Sequence, residues 1–271
     1  MKKILAVLLA LTFVACAFAA CGNKSDDATT SKPSANTSSD LEYIKNKGTL
    51  IIGMTNYEPM NYKDENNNWT GFDTEFAQAV GEKLGVKVEF VELSDWDNKF
   101  PELDAKSIDC IWNGMTITDE CKMNASVTNP YIHNAQVVVM AKDKLASYPD
   151  AASMTDLEFA VENGSAGAAA AEENNFPKIT VLPSQTDTLL EVASGSADAC
   201  IIDITMANSM TGEGTSYANL GYSFELTSEE YGIAFRKDSD MTAEVNKLMA
   251  EMMQDGTLDK LAEKYSLTLI K

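Results

Sequence analysis

Three polar interruptions hold most of the chemistry this chain can offer. Asp203 closes the apolar run Ala199-Cys200-Ile201-Ile202, and an isolated acid in that position needs a cationic or hydrogen-bonding partner. Asn113-Gly114 follow a strand expected over Ile108–Trp112 and break it in the same way. Gly164-Ser165-Ala166 lead into a helix expected over Ser165–Glu173, whose first free N–H groups suit an anion. An acceptor for an ammonium group and donors for a carboxylate are what a zwitterionic ligand requires, together with an aromatic or apolar wall. Trp112, beside the second break, faces either the core or a cleft.

Catalytic and metal chemistry are poorly provided for. The chain has one histidine, His133, and no Cys-x-x-Cys pair, so no metal site and no cofactor are expected. Glu162 and Asp203 could be cast as acid and base, yet no histidine falls near them and no catalytic constellation forms. No catalytic residue is therefore assigned. Cys110, Cys121 and Cys200 are an odd number in the expected folded body, which leaves at least one free thiol.

The elements that must position these groups alternate in type. Strands are expected at Leu50–Gly53, Val86–Phe90, Ile108–Trp112, Val137–Met140, Phe159–Val161, Ile179–Leu182, Ala199–Ile202 and Tyr231–Phe235. Helices are expected from an Asp73 cap to Leu84, near Asn98–Asp104, from about Thr118, over Ser165–Glu173 and Gln185–Ser194, and twice at the C-terminal end. Met241, Val245, Leu248, Met249 and Met252 form an apolar stripe on the first of those two. Alternation of this kind gives α/β layers with mostly parallel pairing. A weak echo links Leu103–Asp109 to Val192–Asp198, each a helix end and turn before an Asp and an apolar strand. Two facing lobes would then place both polar breaks at carboxyl ends of strands, where α/β sheets bind ligands.

The strings GTLIIGMTNYEPMNY, TGFDTEFAQAVGEKLGVKVEFV, NGMTITDE, SADACIID and YGIAFRKDSD, followed by MQDGTLDKLAEKY, resemble the amino-acid-binding group of bacterial solute-binding proteins that serve ABC importers. The likeness runs in order from about Gly48 to Tyr265. It implies a type II periplasmic-binding-protein-like fold, α/β, with two lobes joined by two crossing segments. Lobe 1 is then 41–133 plus 233–271 and lobe 2 is 134–232, with hinges near Tyr131–Asn134 and Glu230–Gly232. Carried over residue by residue, Tyr57 packs over the ligand, Asn113, Gly114 and Thr116 form the polar turn, and Ser165 and Ala166 begin the anion-binding helix. Asp203 then accepts the ligand ammonium. One position departs from the family: Cys121 follows Thr118-Asp119-Glu120 where an arginine usually grips the carboxylate. Cysteine brings no charge and a weak donor. Arg236, the only arginine in the chain, reads as a solvated strand end. The resemblance implies an amino-acid ligand, a permease partner and a monomer. A cationic amine, held by Glu58, Glu162 and Asp203, and a dehydratase-like enzyme are the alternatives.

Composition narrows the partners. With 21 Lys+Arg against 41 Asp+Glu the formal net charge is −20 over 271 residues, which repels phosphate backbones and anionic lipid surfaces alike and excludes nucleic-acid binding. Lys2 and Lys3 precede the uncharged apolar run 4–20, the layout of a secretory signal peptide. Ala19-Ala20-Cys21-Gly22 resembles the lipobox of bacterial lipoproteins, which implies that Cys21 is the lipid attachment site. Residues 21–40, rich in Ser and Thr, read as a flexible tether. The expected location is the outer face of the cytoplasmic membrane, held by the lipid anchor only.

Overall fold

Apolar runs of five to seven residues, bounded by turn glycines and capping side chains, build the sheets of this protein. The computed structural model describes residues 39–271, so the calls on the signal peptide, Cys21 and nearly all of the tether lie outside the described residues. The chain opens with α1 (Asp40–Lys47), β1 (Thr49–Met54), a small hairpin of β2 (Tyr62–Lys63) and β3 (Trp69–Thr70), and α2 (Phe72–Leu84). It continues through β4 (Lys87–Glu92), α3 (Lys99–Asp104), β5 (Cys110–Thr116), α4 (Asp119–Asn124), β6 (Ser126–Val127) and β7 (Ile132–Asn134). A second set follows: β8 (Gln136–Ala141), β9 (Glu158–Glu162), α5 (Ala166–Glu173), β10 (Lys178–Leu182), α6 (Gln185–Ser194), β11 (Ala199–Asp203), α7 (Ile204–Met210) and β12 (Leu220–Glu225). Then β13 (Glu229–Phe235), α8 (Met241–Gln254) and α9 (Thr257–Lys264) complete it.

Two sheets result. One has the order β4-β1-β5-β13-β6, with β7 also on β13; the other has the order β10-β9-β11-β8-β12. The chain leaves the first sheet through β7 and returns through β13, and these two passages pair antiparallel, Asn134 opposite Glu229 and His133 opposite Glu230. The expected two-lobed α/β fold with two crossing segments is the architecture observed. Pairing is mixed, however, not mostly parallel. β1 runs parallel to β4 and β5, and β9 to β10 and β11, whereas β13 and β8 are antiparallel to their neighbours. The reason is the double passage: a strand entering a sheet from the crossing runs against the βαβ strands already there.

Both faces of the central strands are covered. Val137 and Val139 fall in one apolar cluster and Val138 and Met140 in another, which explains the continuous apolar run of β8. The α8 stripe is buried as expected from its spacing. Two charged residues differ from expectation. Asp73 does not cap α2; Gly71 occupies that position, and the Asp73 carboxylate is buried beneath β5. Arg236 is 8% exposed, not solvated. Its Nε donates to Asp40 at 3.0 Å, its Nη1 donates to the Ile108 carbonyl at 3.0 Å, and Asp109 lies at 3.5 Å. It therefore ties α1 to the turn that leads into β5.

Candidate ligand-binding site

A cavity of about 180 Å3 is walled by both sheets. From the first sheet come the end of β5, Asn113 to Thr116, and the loop into α4, Thr118 to Cys121. From the second come Glu162 at the end of β9, Gly164-Ser165-Ala166 at the start of α5, Gln185 at the start of α6, and Asp203 at the end of β11. Tyr57 and Trp96 give aromatic wall, and Lys99 joins them from α3. Every strand contributes its carboxyl end, as the echo between the two halves suggests.

Asp203 is buried and fully supported. Gln136 Nε2 donates to Oδ1 at 2.9 Å, Asn134 Nδ2 donates to the same oxygen, and Gln185 Nε2 donates to Oδ2. Burial pushes its pKa up to about 6, aided by the charge of Glu229 and opposed by the three amides. Neutral donors surround this acid, so its charge is uncompensated until a cation arrives. Glu162, 3% exposed, lies close enough to feel Asp203; burial first and that charge second raise it to about 8, against the pull of Lys99. Its Oε1 has no hydrogen-bond partner.

The start of α5, on the same sheet as Asp203, supplies donors. Ser165 caps α5, its hydroxyl accepting from Ala168 N–H at 3.1 Å, which leaves the hydroxyl proton and the Ala166 and Gly167 N–H groups for an anion. Gly167 packs α5 so tightly on β11 that a Cβ there would meet the Ile201 carbonyl at 2.6 Å. Lys99 Nζ donates across the cavity to the Gly164 carbonyl at 3.1 Å and to the Trp96 carbonyl at 3.3 Å, leaving one N–H free.

The residues singled out from the sequence fall into three groups. Asp203, Ser165, Ala166, Tyr57, Gly114, Thr116, Cys121 and Asn113 all line the cavity. Several of them have their polar atoms engaged already. Asn113 donates to Asn61 Oδ1 and the Thr55 carbonyl and accepts from Thr55, Thr116 Oγ1 donates to Glu229 at 3.0 Å, and the Gly114 N–H donates to Asp73 at 2.6 Å. The Cys121 thiol donates to the Thr116 carbonyl at 3.3 Å. These groups shape the wall more than they offer bonds. Trp112 is the correction: fully buried, it packs edge-on against Phe76 at 4.8 Å and lies outside the cavity wall, because its side chain alternates to the core face of β5. Glu58 also lies outside it, accepting from the Ser209 hydroxyl at 3.0 Å. Sequence reasoning missed Lys99, Gln185 and Trp96. Only the aromatic neighbours Trp96 and Phe100, whose rings lie 5.3 and 5.0 Å from Lys99 Nζ, set that lysine apart from a solvated one.

Residues 50–268 match the sequence profile of bacterial extracellular solute-binding proteins, family 3. The chain is 32% identical to the arginine-binding extracellular protein ArtP of Bacillus subtilis, over 98% of each chain. It is 31% identical to the L-cystine-binding protein TcyA of the same organism, over 98% of this chain and 97% of that one. The crystal structure of an ancestral amino acid-binding protein, a precursor of cyclohexadienyl dehydratase, aligns with a TM-score of 0.77 at 34% identity, over 84% of this chain and 99% of that one.

Proposed function

Since this chain belongs to the bacterial extracellular solute-binding proteins, family 3, we propose that it holds an amino acid between its two sheets, ammonium on Asp203 and carboxylate on the first turn of α5. It is the amino-acid-binding component of an ABC uptake transporter, working outside the cytoplasm, and not an enzyme. The observation that carries the site assignment is the pairing of one charged, amide-supported acid with an open helix start in the same cavity. With Cys121 in place of an arginine, the carboxylate relies on the Ser165 hydroxyl and the Ala166 and Gly167 N–H groups. The buried ammonium of Lys99 offsets the acids that favour a bare amine, so the amino-acid reading is the stronger.

Capture follows from lobe closure: Asp203 and α5 hold the head group on the second sheet's side, and added contact with Tyr57 from the first favours the closed form, which then docks on the permease. The lipobox-like Cys21 supports tethering to the outer face of the cytoplasmic membrane; release of a Cys21→Ser protein into the medium is the expected outcome, and unchanged retention would refute the anchor. Ligand at ~100 times its dissociation constant should stabilise the protein by about 2.7 kcal/mol. A thermal-shift panel of amino acids and their decarboxylated amines tests the site. Asp203→Ala should abolish the shift, and a variant that still responds like the wild type would remove Asp203 from the assignment.

A further inference from the structure

Glu162 and Lys99 are the two buried charged groups in the cavity wall that the ammonium and carboxylate contacts leave unused. Glu162 ends β9 and Lys99 begins α3, so each sheet contributes one. The two side chains are 3% exposed, and among the described residues no ion pair joins them. A buried carboxylate oxygen without a partner is disfavoured by a few kcal/mol unless something fills its acceptor sites. Here Glu162 Oε1 is in that condition, in the wall of a cavity, while Lys99 has spent two of its three N–H donors on the Trp96 and Gly164 carbonyls. Trp96 and Tyr57 supply apolar wall beside them.

We propose that Lys99 and Glu162 form a side-chain subsite selecting an amino acid whose side chain is neutral overall and carries both a hydrogen-bond acceptor and a donor. The acceptor takes the free Lys99 N–H and the donor goes to Glu162. This rests on the reading that Asp203 and the α5 start hold the amino-acid head. A carboxamide fits, and so does a second amino-acid head. An alkyl side chain leaves both protein groups unpaired; a cationic one meets Lys99, and an anionic one brings no donor for Glu162. Sites built around such hydrogen bonds reject analogues lacking them far more strongly than apolar pockets reject a missing methylene.

The test is calorimetric titration of the purified protein, stripped of carried-over ligand, with L-glutamine, L-cystine, L-leucine, L-arginine and L-glutamate. Glutamine or cystine is expected to bind on the order of 100-fold more tightly than the other three. Preference for glutamine assigns a carboxamide; preference for cystine assigns a second amino-acid head. Glu162→Leu and Lys99→Met are each expected to narrow that ratio to within about tenfold, weakening the favoured ligand most. Two substitutions from separate elements guard against one failing to fold. Leucine, arginine or glutamate binding as tightly as glutamine and cystine overturns the subsite while leaving the amino-acid reading intact, as does an unchanged ratio in a folded variant. A response to decarboxylated amines alone in the thermal-shift panel overturns both.

Discussion

Glu162 shows how one buried acid links stability to pH. An ordinary glutamate titrates near 4.5, whereas burial and the Asp203 charge hold this one near 8. Folding therefore favours its neutral form. The stabilisation is fully present below the unfolded value and is lost as pH rises through about 8. Glu162→Gln resembles the protonated acid, so the ligand-free variant and wild type should melt together near pH 5. Near pH 9 the variant should be more stable by about 1–3 kcal/mol, several degrees in melting temperature. A difference that does not change between those pH values would show that Glu162 is not held neutral. At this scale the sequence was informative where a residue interrupts a pattern. Asp203 and Ser165 stand out at the ends of apolar or helical runs. Lys99 does not, because nothing local distinguishes a buried lysine at a helix start from a solvated one.

β5 decides whether the site has its shape. Gly114 adopts φ +55°, and a Cβ there would meet Tyr57 Cε1 at 2.7 Å, Met60 Cγ at 3.1 Å and Tyr231 Cε2 at 3.2 Å. Its N–H is held by Asp73, which also accepts from the Tyr131 hydroxyl at 2.9 Å just before β7. One carboxylate thus fixes both the cavity wall and the start of the crossing segment. Left-handed strain of ~1–2 kcal/mol and overpacking of ~1–3 kcal/mol both oppose Gly114→Ala. That variant should lose about 2–4 kcal/mol in denaturant unfolding and bind ligand more weakly; full stability would mean the Tyr57 ring gives way freely. The strand, the break and the helices were legible from periodicity and turn residues. The inward turn of Asp73 was not, since an aspartate before a helix reads first as a cap, and only the position of β5 above it offers a competing donor.

Across the whole molecule, hydrogen bonds join elements of one sheet to elements of the other. Asn163 Nδ2 donates to Asp95 at 3.0 Å, Thr186 Oγ1 to the Asn56 carbonyl at 3.1 Å, Ser209 Oγ to Glu58 at 3.0 Å, and Lys99 Nζ to the Gly164 carbonyl. The Tyr57 hydroxyl also shares hydrogen bonds with those of Thr205 and Tyr231. In the proposed closure mechanism, each such bond contributes about 0.5–1.5 kcal/mol to the closed form. Asn163→Ala combined with Ser209→Ala replaces no residue that lines the cavity, so it should weaken ligand binding roughly 5- to 150-fold through the closed population alone. Titration calorimetry reads this directly, and unaltered affinity would mean that these rim contacts do not favour closure.

Local physics is written in the sequence itself. Apolar runs, capping residues and glycines determined where strands and helices form, the charge balance excluded nucleic-acid partners, and the order of motifs along the chain carried the family likeness and with it the two-lobed fold. Tertiary structure alone decided which polar groups remain free. Asn113, Thr116 and the Gly114 N–H are engaged by partners 41 to 113 residues away, whereas Glu162 Oε1 has none. Sequence spacing reports which face of an element a residue occupies. Whether its hydrogen-bonding capacity is already used depends on groups that meet only when the chain has crossed twice between its sheets.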